Sequence, residues 1–251
     1  MIGKNFIDII EQKAHQNKSR TILALDITRD IKTHEDKRIL WNKALNIAEL
    51  TSKYLAAIKV GYPLILATGL DIVGELKQKT KLPIIGDFKI ADIGNTNKWI
   101  ARHAYNAGID ALIVHAIIGE DAVKDVIKVA EEYNRAVFLL VSMSHPGAIK
   151  FIKPHIKELT ELAVNVGATG VIAPATRPEE IKLVREKLSD KMLILSPGIG
   201  AQGAKAGIAI RNGADFEIVG RRIYSSDDIE LSAKIIAQEN WRAYSERRAS
   251  P

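Results

Sequence analysis

The chain has 251 residues, of which 47% are hydrophobic, and a formal net charge of +6, enough for a sizeable core in one large domain. It has no cysteine, which excludes disulfides, thiol nucleophiles and cysteine-held zinc or iron–sulfur centres. No apolar run approaches the roughly 18 residues of a membrane span, and the opening MIGKNFIDIIEQKAHQ is amphipathic and charged, without a secretory apolar segment. The expectation is a protein of the cytoplasm with no membrane partner.

Residues 1–20 read as a helix. Short apolar runs then alternate with longer amphipathic segments. The runs are TILALDI (21–27), YLAAIKV (54–60), LPIIGDF (82–88), DALIVHA (110–116), AVFLLVS (136–142), TGVIAP (169–174), MLILSP (192–197) and DFEIVG (215–220). Helical stretches such as EDKRILWNKALNIAELTS, NTNKWIARHAYNAG and RPEEIKLVREKLSD lie between them, and DDIELSAKIIAQENWRAYSERR follows the last. Runs that are apolar throughout suit strands buried on both faces of a parallel sheet. Eight such units predict an α/β fold, a (β/α)8 TIM barrel. An open doubly wound sheet is the second topology compatible with the rhythm. No linker breaks it, so residues 1–251 read as one domain. The helix of 1–20 covers the barrel bottom, and the polar tail 240–251 is expected to fray.

The basic balance, with a pI near 9.3, first suggests nucleic acid. The basic residues are scattered among 30 acids, however, with only short clusters such as GRRIY and ERRASP. A small anionic substrate accounts for the charge, and no nucleic-acid partner is expected.

In such a barrel chemistry sits at the C-terminal ends of the strands. Those ends carry Asp26, Lys59, Asp87 with Lys89, His115, Ser142 with Ser144, Pro174, Pro197 and Arg221. Asp87 and Lys89 are two apart, so on an extended strand they share a face. Lys59 ends the neighbouring strand, and Asp92 lies just beyond. The result is an expected Lys–Asp–Lys–Asp array, costly to bring together unless mutually paired. The histidines at 15, 34, 103, 115, 145 and 155 show no metal-ligand spacing and read as surface or packed residues. No metal is expected.

The segment DFKIADIGNT (87–96) resembles the D-x-K-x-x-D signature of orotidine 5'-monophosphate decarboxylases. ALD (24–26), KVGYPL (59–64), MSHPGA (143–148), APATRPE (173–179), SPGIGAQG (196–203) and VGRRIY (219–224) match the same family in order, over nearly the whole chain. The short form is similar to archaeal members. The 3-keto-gulonate-phosphate decarboxylases and hexulose-phosphate synthases share the signature but carry a metal-binding acid in strand 2, where this chain has Lys59.

The resemblance implies loss of CO2 from C6 of orotidine 5'-monophosphate, giving uridine 5'-monophosphate (UMP), with no cofactor. It implies that Lys89 stabilises the C6 carbanion and protonates it, that Asp87 faces the departing carboxylate, and that Lys59 and Asp92 hold the array. It also implies a homodimer in which Asp92 and Thr96 reach the partner's site. For the rest of the substrate it implies Asp26 on a ribose hydroxyl, Ser144 on the pyrimidine edge and Gln202 bridging base and phosphate. The phosphate would be held by Arg221 and Gly220 after strand 8 and by the loop of Pro197, Gly198, Gly200 and Gly203 after strand 7. Arg222 is read as solvent-facing, Arg177 as a rim residue, and Met143 and Trp99 as packing. Ile113, Leu140 and Ile172 are either pocket or plain core. Gly94 and Asn95 receive no role.

Two other classes fit part of this pattern. A Schiff-base aldolase also needs a strand-end lysine, but a neutral one, and carboxylates flanking Lys89 favour the ammonium. A nucleotide-phosphate sensor needs only the phosphate loops, not the charged array.

Overall fold

All eight apolar runs form strands in the computed structural model, which describes residues 2–200 and 203–249. They are β1 (Thr21–Ala24), β2 (Ala57–Gly61), β3 (Ile84–Ile90), β4 (Ala111–His115), β5 (Ala136–Leu140), β6 (Gly170–Ile172), β7 (Leu193–Pro197) and β8 (Phe216–Val219). The helices are α1 (Lys4–Asn17), α2 (His34–Thr51), α3 (Tyr62–Thr68), α4 (Ile72–Thr80), α5 (Gly94–Asn106), α6 (Glu120–Glu132), α7 (Ala148–Phe151), α8 (Ile156–Asn165), α9 (Pro178–Lys187), α10 (Ile208–Arg211), α11 (Arg221–Tyr224) and α12 (Ile229–Ala249). Every neighbouring strand pair is parallel, and β8 pairs with β1 through Thr21–Glu217 and Ile22–Ile218. That pairing closes the barrel and excludes the open sheet.

Closure gives each strand the two apolar faces its sequence demands. Alternate residues point to opposite sides. Ile22, Ile85, Phe138, Leu195 and Phe216 fill the interior, while Leu23, Ile58, Leu112 and Ile194 pack outward with helix residues such as Leu40, Val73, Val126 and Ile181. Each large side chain so buried contributes roughly 1.5–3 kcal/mol. Helix starts are specified locally as well. Thr33 Oγ1 accepts from Asp36 N at 3.1 Å and the Asp36 carboxylate accepts from Thr33 N at 3.0 Å, a reciprocal cap for α2.

Phe6, Ile10 and Ala14 recur every four residues and form one stripe of α1. The stripe joins the interior cluster, with Phe6 edge-on to Phe138 at 5.7 Å between ring centroids. Gly3, just before α1, abuts Thr169 and Ala136 at strand starts. The helix therefore plugs the N-terminal end of the barrel, opposite the mouth.

The stretch from 240 onward, expected to fray, is instead the second half of α12 up to Ala249. Its polar composition hides three tertiary anchors. Asn240 is buried and donates to Thr21 Oγ1 at 3.0 Å. Tyr244 covers the buried Arg20 guanidinium, 3.7 Å from its ring centroid, and Glu11 of α1 pairs with Arg20 at 2.6 Å. Arg247 donates to the carbonyls of Ile210 and Ala214. A stack of this kind is worth about 1–2 kcal/mol when desolvated.

β8 turns Glu217 outward beneath α10. The side chain is fully buried, and its two oxygens accept from Gly207 N and Ala209 N at 2.9 Å each. Backbone N–H groups at a helix start have no partner within the helix. Glu217 supplies one, and so ties the far end of the loop after β7 to the barrel wall.

Candidate active site

Inward alternation continues to the C-terminal ends of the strands, and there the interior turns polar. Ala24 is followed two residues later by Asp26, Ala57 by Lys59 and Ile85 by Asp87. These three side chains converge. Lys59 Nζ lies 2.8 Å from Asp87 Oδ2 and 3.0 Å from Asp26 Oδ2, and Lys89 Nζ lies 2.8 Å from Asp87 Oδ1. Gly61 admits the carboxylate of Asp26, since a Cβ there would stand 2.7 Å from Asp26 Oδ1. Burial opposes the charge on Lys59, yet Asp87 and Asp26 outweigh it and hold the amine above its ordinary pKa. Burial likewise opposes ionisation of Asp87, but Lys59 and then Lys89 hold it below the usual carboxylate range. Lys59 and Asp87 are thus both held in their charged forms, each buried charge bonded to opposite ones.

Asp87 and Lys89 meet, but not by simple strand alternation. Between Gly86 and Ile90 the register of β3 slips against β4: Gly86 pairs with Leu112 and Ile90 with Val114. Lys89 sits in this bulge with φ +42°, in the left-handed region. A non-glycine residue there costs roughly 1–3 kcal/mol. Bulges re-aim side chains beside active sites, and this one turns the lysine back onto Asp87. Nearby His115 has its pKa pushed down, first by burial and then by the Lys89 ammonium.

The array floors a cavity of about 420 Å³. Asp26, Lys59, Asp87, Lys89, Ser144, Pro197, Gly198, Gly220 and Arg221, all named from sequence, line it. Ile113, Leu140 and Ile172 form its apolar side, and so are core and pocket at once. Met143 and His145, read as packing or surface residues, line it too. Gly200 and Gly203 do not line it but build the turn behind it. Gly200 has φ +74° and its Cβ position lies 2.7 Å from Arg222 Cβ, so a side chain there would be strained and crowded. Gln202 lies outside the described residues. Arg221 opens α11, a single turn of four residues, with its side chain exposed at the cavity edge.

Asp92 and Thr96 are not brought to this cavity. Both are exposed, Asp92 before α5 and Thr96 on its first turn. Asp92 Oδ1 accepts from Ile93 N at 2.7 Å, and the backbone of Asp92 is bracketed by the buried Asn97 side chain, through bonds of 3.1 and 2.6 Å. Within one chain, Lys59 bonds the carboxylates of Asp87 and Asp26, and Asp92 stands apart from them. Asn97 went unnoticed because nothing separates it from a solvated helix-start asparagine until its burial is seen. Trp99, expected to pack, is 54% exposed; it stacks on His103 and has the Arg102 guanidinium 6.0 Å from its ring centroid. Among the described residues no group of three His, Asp or Glu side chains is placed to hold a metal ion.

Comparison with known proteins agrees with this geometry. Residues 19–236 match the orotidine 5'-phosphate decarboxylase / HUMPS family. The orotidine 5'-phosphate decarboxylase of Pyrococcus abyssi is 51% identical over 79% of this chain and 93% of its own length. That of Methanococcoides burtonii is 45% identical over 89% of this chain and 98% of its own. Two crystal structures of orotidine phosphate decarboxylases superpose closely, each over 88% of this chain and 98% of the other. The Pyrococcus horikoshii enzyme has a TM-score of 0.78 at 42% identity. The Methanocaldococcus jannaschii enzyme, complexed with the inhibitor BMP, has a TM-score of 0.80 at 37% identity. Matched over most of its length and closed into the same barrel, the chain belongs to the orotidine 5'-phosphate decarboxylase / HUMPS family.

Proposed function

We propose that this cavity binds orotidine 5'-monophosphate and releases its C6 carboxylate as CO2, leaving UMP, the last step of de novo UMP synthesis. The observation that carries the reading is Asp87 held between two lysines at 2.8 Å on each side. The difficult event is the breaking of the C6–carboxylate bond, which leaves an electron pair on C6 with little delocalisation. Lys89 is the group that meets it. Its side chain is 39% exposed, the more open of the two lysines. A fixed ammonium there stabilises charge as it develops, then gives one proton to C6 and regains one from water. The balance needs no electron acceptor. Asp87 disfavours the substrate carboxylate more than the transition state, in which that charge has begun to leave. Lys59, pinned by Asp26 and Asp87, keeps Asp87 ionised and in place.

Pro197 and Gly198 at the end of β7 adjoin Gly220 and Arg221 after the neighbouring β8, while Ser144 lines the cavity after β5. This suits phosphate at the former and the base against the latter, with Asp26 on a ribose hydroxyl. A keto-gulonate-phosphate-type reaction would need a metal-binding acid at the position of Lys59, and an aldolase would need a neutral amine where both lysines bond carboxylates. We assign the reaction to the cytoplasm, the compartment of nucleotide synthesis; no described helix is long and apolar enough to cross a membrane.

The protein works in this reading as a homodimer. Asp92 and Thr96 share an exposed surface with Ile93, 75% exposed, and Trp99, side chains that a second copy would bury while carrying Asp92 to its site. The test is an absorbance assay with orotidine 5'-monophosphate after exhaustive chelation. Turnover should persist in the wild type. It should be nearly absent in Asp92→Asn and in Lys89→Ala alone, and return in part when the two variants are mixed, because one hybrid site is then intact. Loss of turnover on chelation would sink the metal-free mechanism, and no recovery after verified subunit exchange would sink the shared site.

A further inference from the structure

β5 ends at Leu140, and beyond it Val141 N and Ser142 N still donate to the carbonyl of Ile172 at 3.3 Å each, while Ser142, Met143, Ser144 and His145 form one wall of the cavity. Past Ser142 no strand pairing holds the wall among the described residues, and α9 restrains it from behind. Arg177, the residue before α9, donates to the carbonyl of Met143 at 2.7 Å and of His145 at 3.2 Å. With those carbonyls held away, the side chains between them are presented to the cavity. One turn along α9, Glu180 is 3% exposed. An acid in the first turn of a helix suits the dipole, but such residues ordinarily stay in water. Here Oε2 accepts from Ser142 Oγ, itself 1% exposed. Oε1 has no hydrogen bond among the described residues and stands 3.7 Å from Arg177 Nη1 and 3.6 Å from Lys153 Nζ. Lys153 belongs to the far end of the same excursion, just before α8.

One buried carboxylate thus touches the start of the wall, the arginine that straps its middle and the lysine at its return. Burying it costs several kcal/mol unless those contacts answer it, and the packing of α9 alone does not require a charge there. We infer that Glu180 is a positioning residue for catalysis: it anchors Arg177 and Ser142 so that the 142–145 wall holds Ser144 against the pyrimidine. The inference rests on the placement of the base proposed above.

Glu180→Gln keeps shape and one acceptor but removes the charge; Glu180→Asp keeps the charge. Affinity for UMP, which has the base, is compared with affinity for ribose 5-phosphate, which lacks it. Kinetics with the full substrate are measured alongside. Glu180→Gln should weaken UMP binding about tenfold or more, raise KM correspondingly, and leave ribose 5-phosphate binding unchanged. Glu180→Asp should recover part of the loss. Arg177→Gln should give the same split, and the double variant should be no worse than the worse single one. General loosening of the barrel would weaken both ligands together; that result, or unchanged UMP binding in Glu180→Gln, overturns the inference. Ser144→Ala separates the two levels. If it weakens UMP while Glu180→Gln does not, the base is correctly placed and Glu180 is not its support. If Ser144→Ala has no effect, the placement itself is wrong and the inference falls with it.

Discussion

Lys89→Ala should lose turnover by about 10⁴-fold or more while UMP still binds. Two contributions vanish together. A fixed charge aimed at the developing carbanion is worth roughly 10²–10³, and a placed general acid roughly 10²–10⁴. The fold should survive. Asp87 keeps Lys59 at 2.8 Å, so no buried carboxylate is left unpaired, and alanine does not widen the bulge. The split between ligands is the informative part. Orotidine 5'-monophosphate brings a carboxylate to Asp87, and without Lys89 that repulsion is unscreened. UMP has only hydrogen on C6 and meets no such penalty. Single-turnover decarboxylation and calorimetry with UMP check both halves. Substantial turnover in the variant would remove Lys89 from the chemistry, and lost UMP binding would show that the lysine holds the pocket open rather than reacting.

Arg221→Ala should weaken catalysis on the whole substrate by about 2–5 kcal/mol, the usual loss when one partner of a buried charge pair is removed. Arg221 is exposed at the cavity edge, and in the proposed reading its contact becomes buried when the substrate phosphate binds. Remote binding energy of this kind can drive closure and hold the array in its working geometry. The variant should therefore be nearly normal toward a substrate lacking phosphate. Added phosphite should partly restore the wild type's activity on that truncated substrate, by filling the phosphate end, and do so poorly in Arg221→Ala. Four assays decide it: two proteins and two substrates, with and without phosphite. Equal damage to both substrates would mean that Arg221 supports the fold or the array instead.

The closed barrel was legible because its signal is repeated: eight doubly apolar runs separated by amphipathic helices leave few topologies. Asp26, Lys59 and Asp87 were legible for the same reason, since strand alternation carries them inward one step beyond Ala24, Ala57 and Ile85. Lys89 was found by motif, but alternation did not reveal how it reaches Asp87, because a bulge depends on pairing with β4 rather than on local sequence. Glu180 reads as an ordinary helix-start acid, and Asn97 as an ordinary helix-start asparagine. Only tertiary burial distinguishes them. The tail from 240 fails for the converse reason: its polar residues are anchors whose partners lie far along the chain, 219 residues away for Asn240 and Thr21. Asp92 shows a further limit, since its proposed site lies on another copy of the chain.

The carboxylate of Glu217, tied to the start of α10, makes this fold a titrating object near neutrality. Burial, partly offset by the N–H groups it accepts from, raises its pKa from 4.5 to about 7. The folded chain therefore holds this proton more tightly than the unfolded one. The stability it contributes is complete below about pH 4.5 and is lost as pH climbs through about 7, a swing of about 3 kcal/mol. Melting temperature should fall from about pH 5 to about pH 8, and Glu217→Gln should flatten that slope, whatever it does to the absolute value. An unchanged slope in the variant would assign the titration elsewhere. The same ionisation acts oppositely on the loop, because a charged carboxylate binds the Gly207 and Ala209 N–H groups more strongly than a neutral one. Raising the pH thus weakens the barrel as a whole while tightening the junction between the loop after β7 and α10.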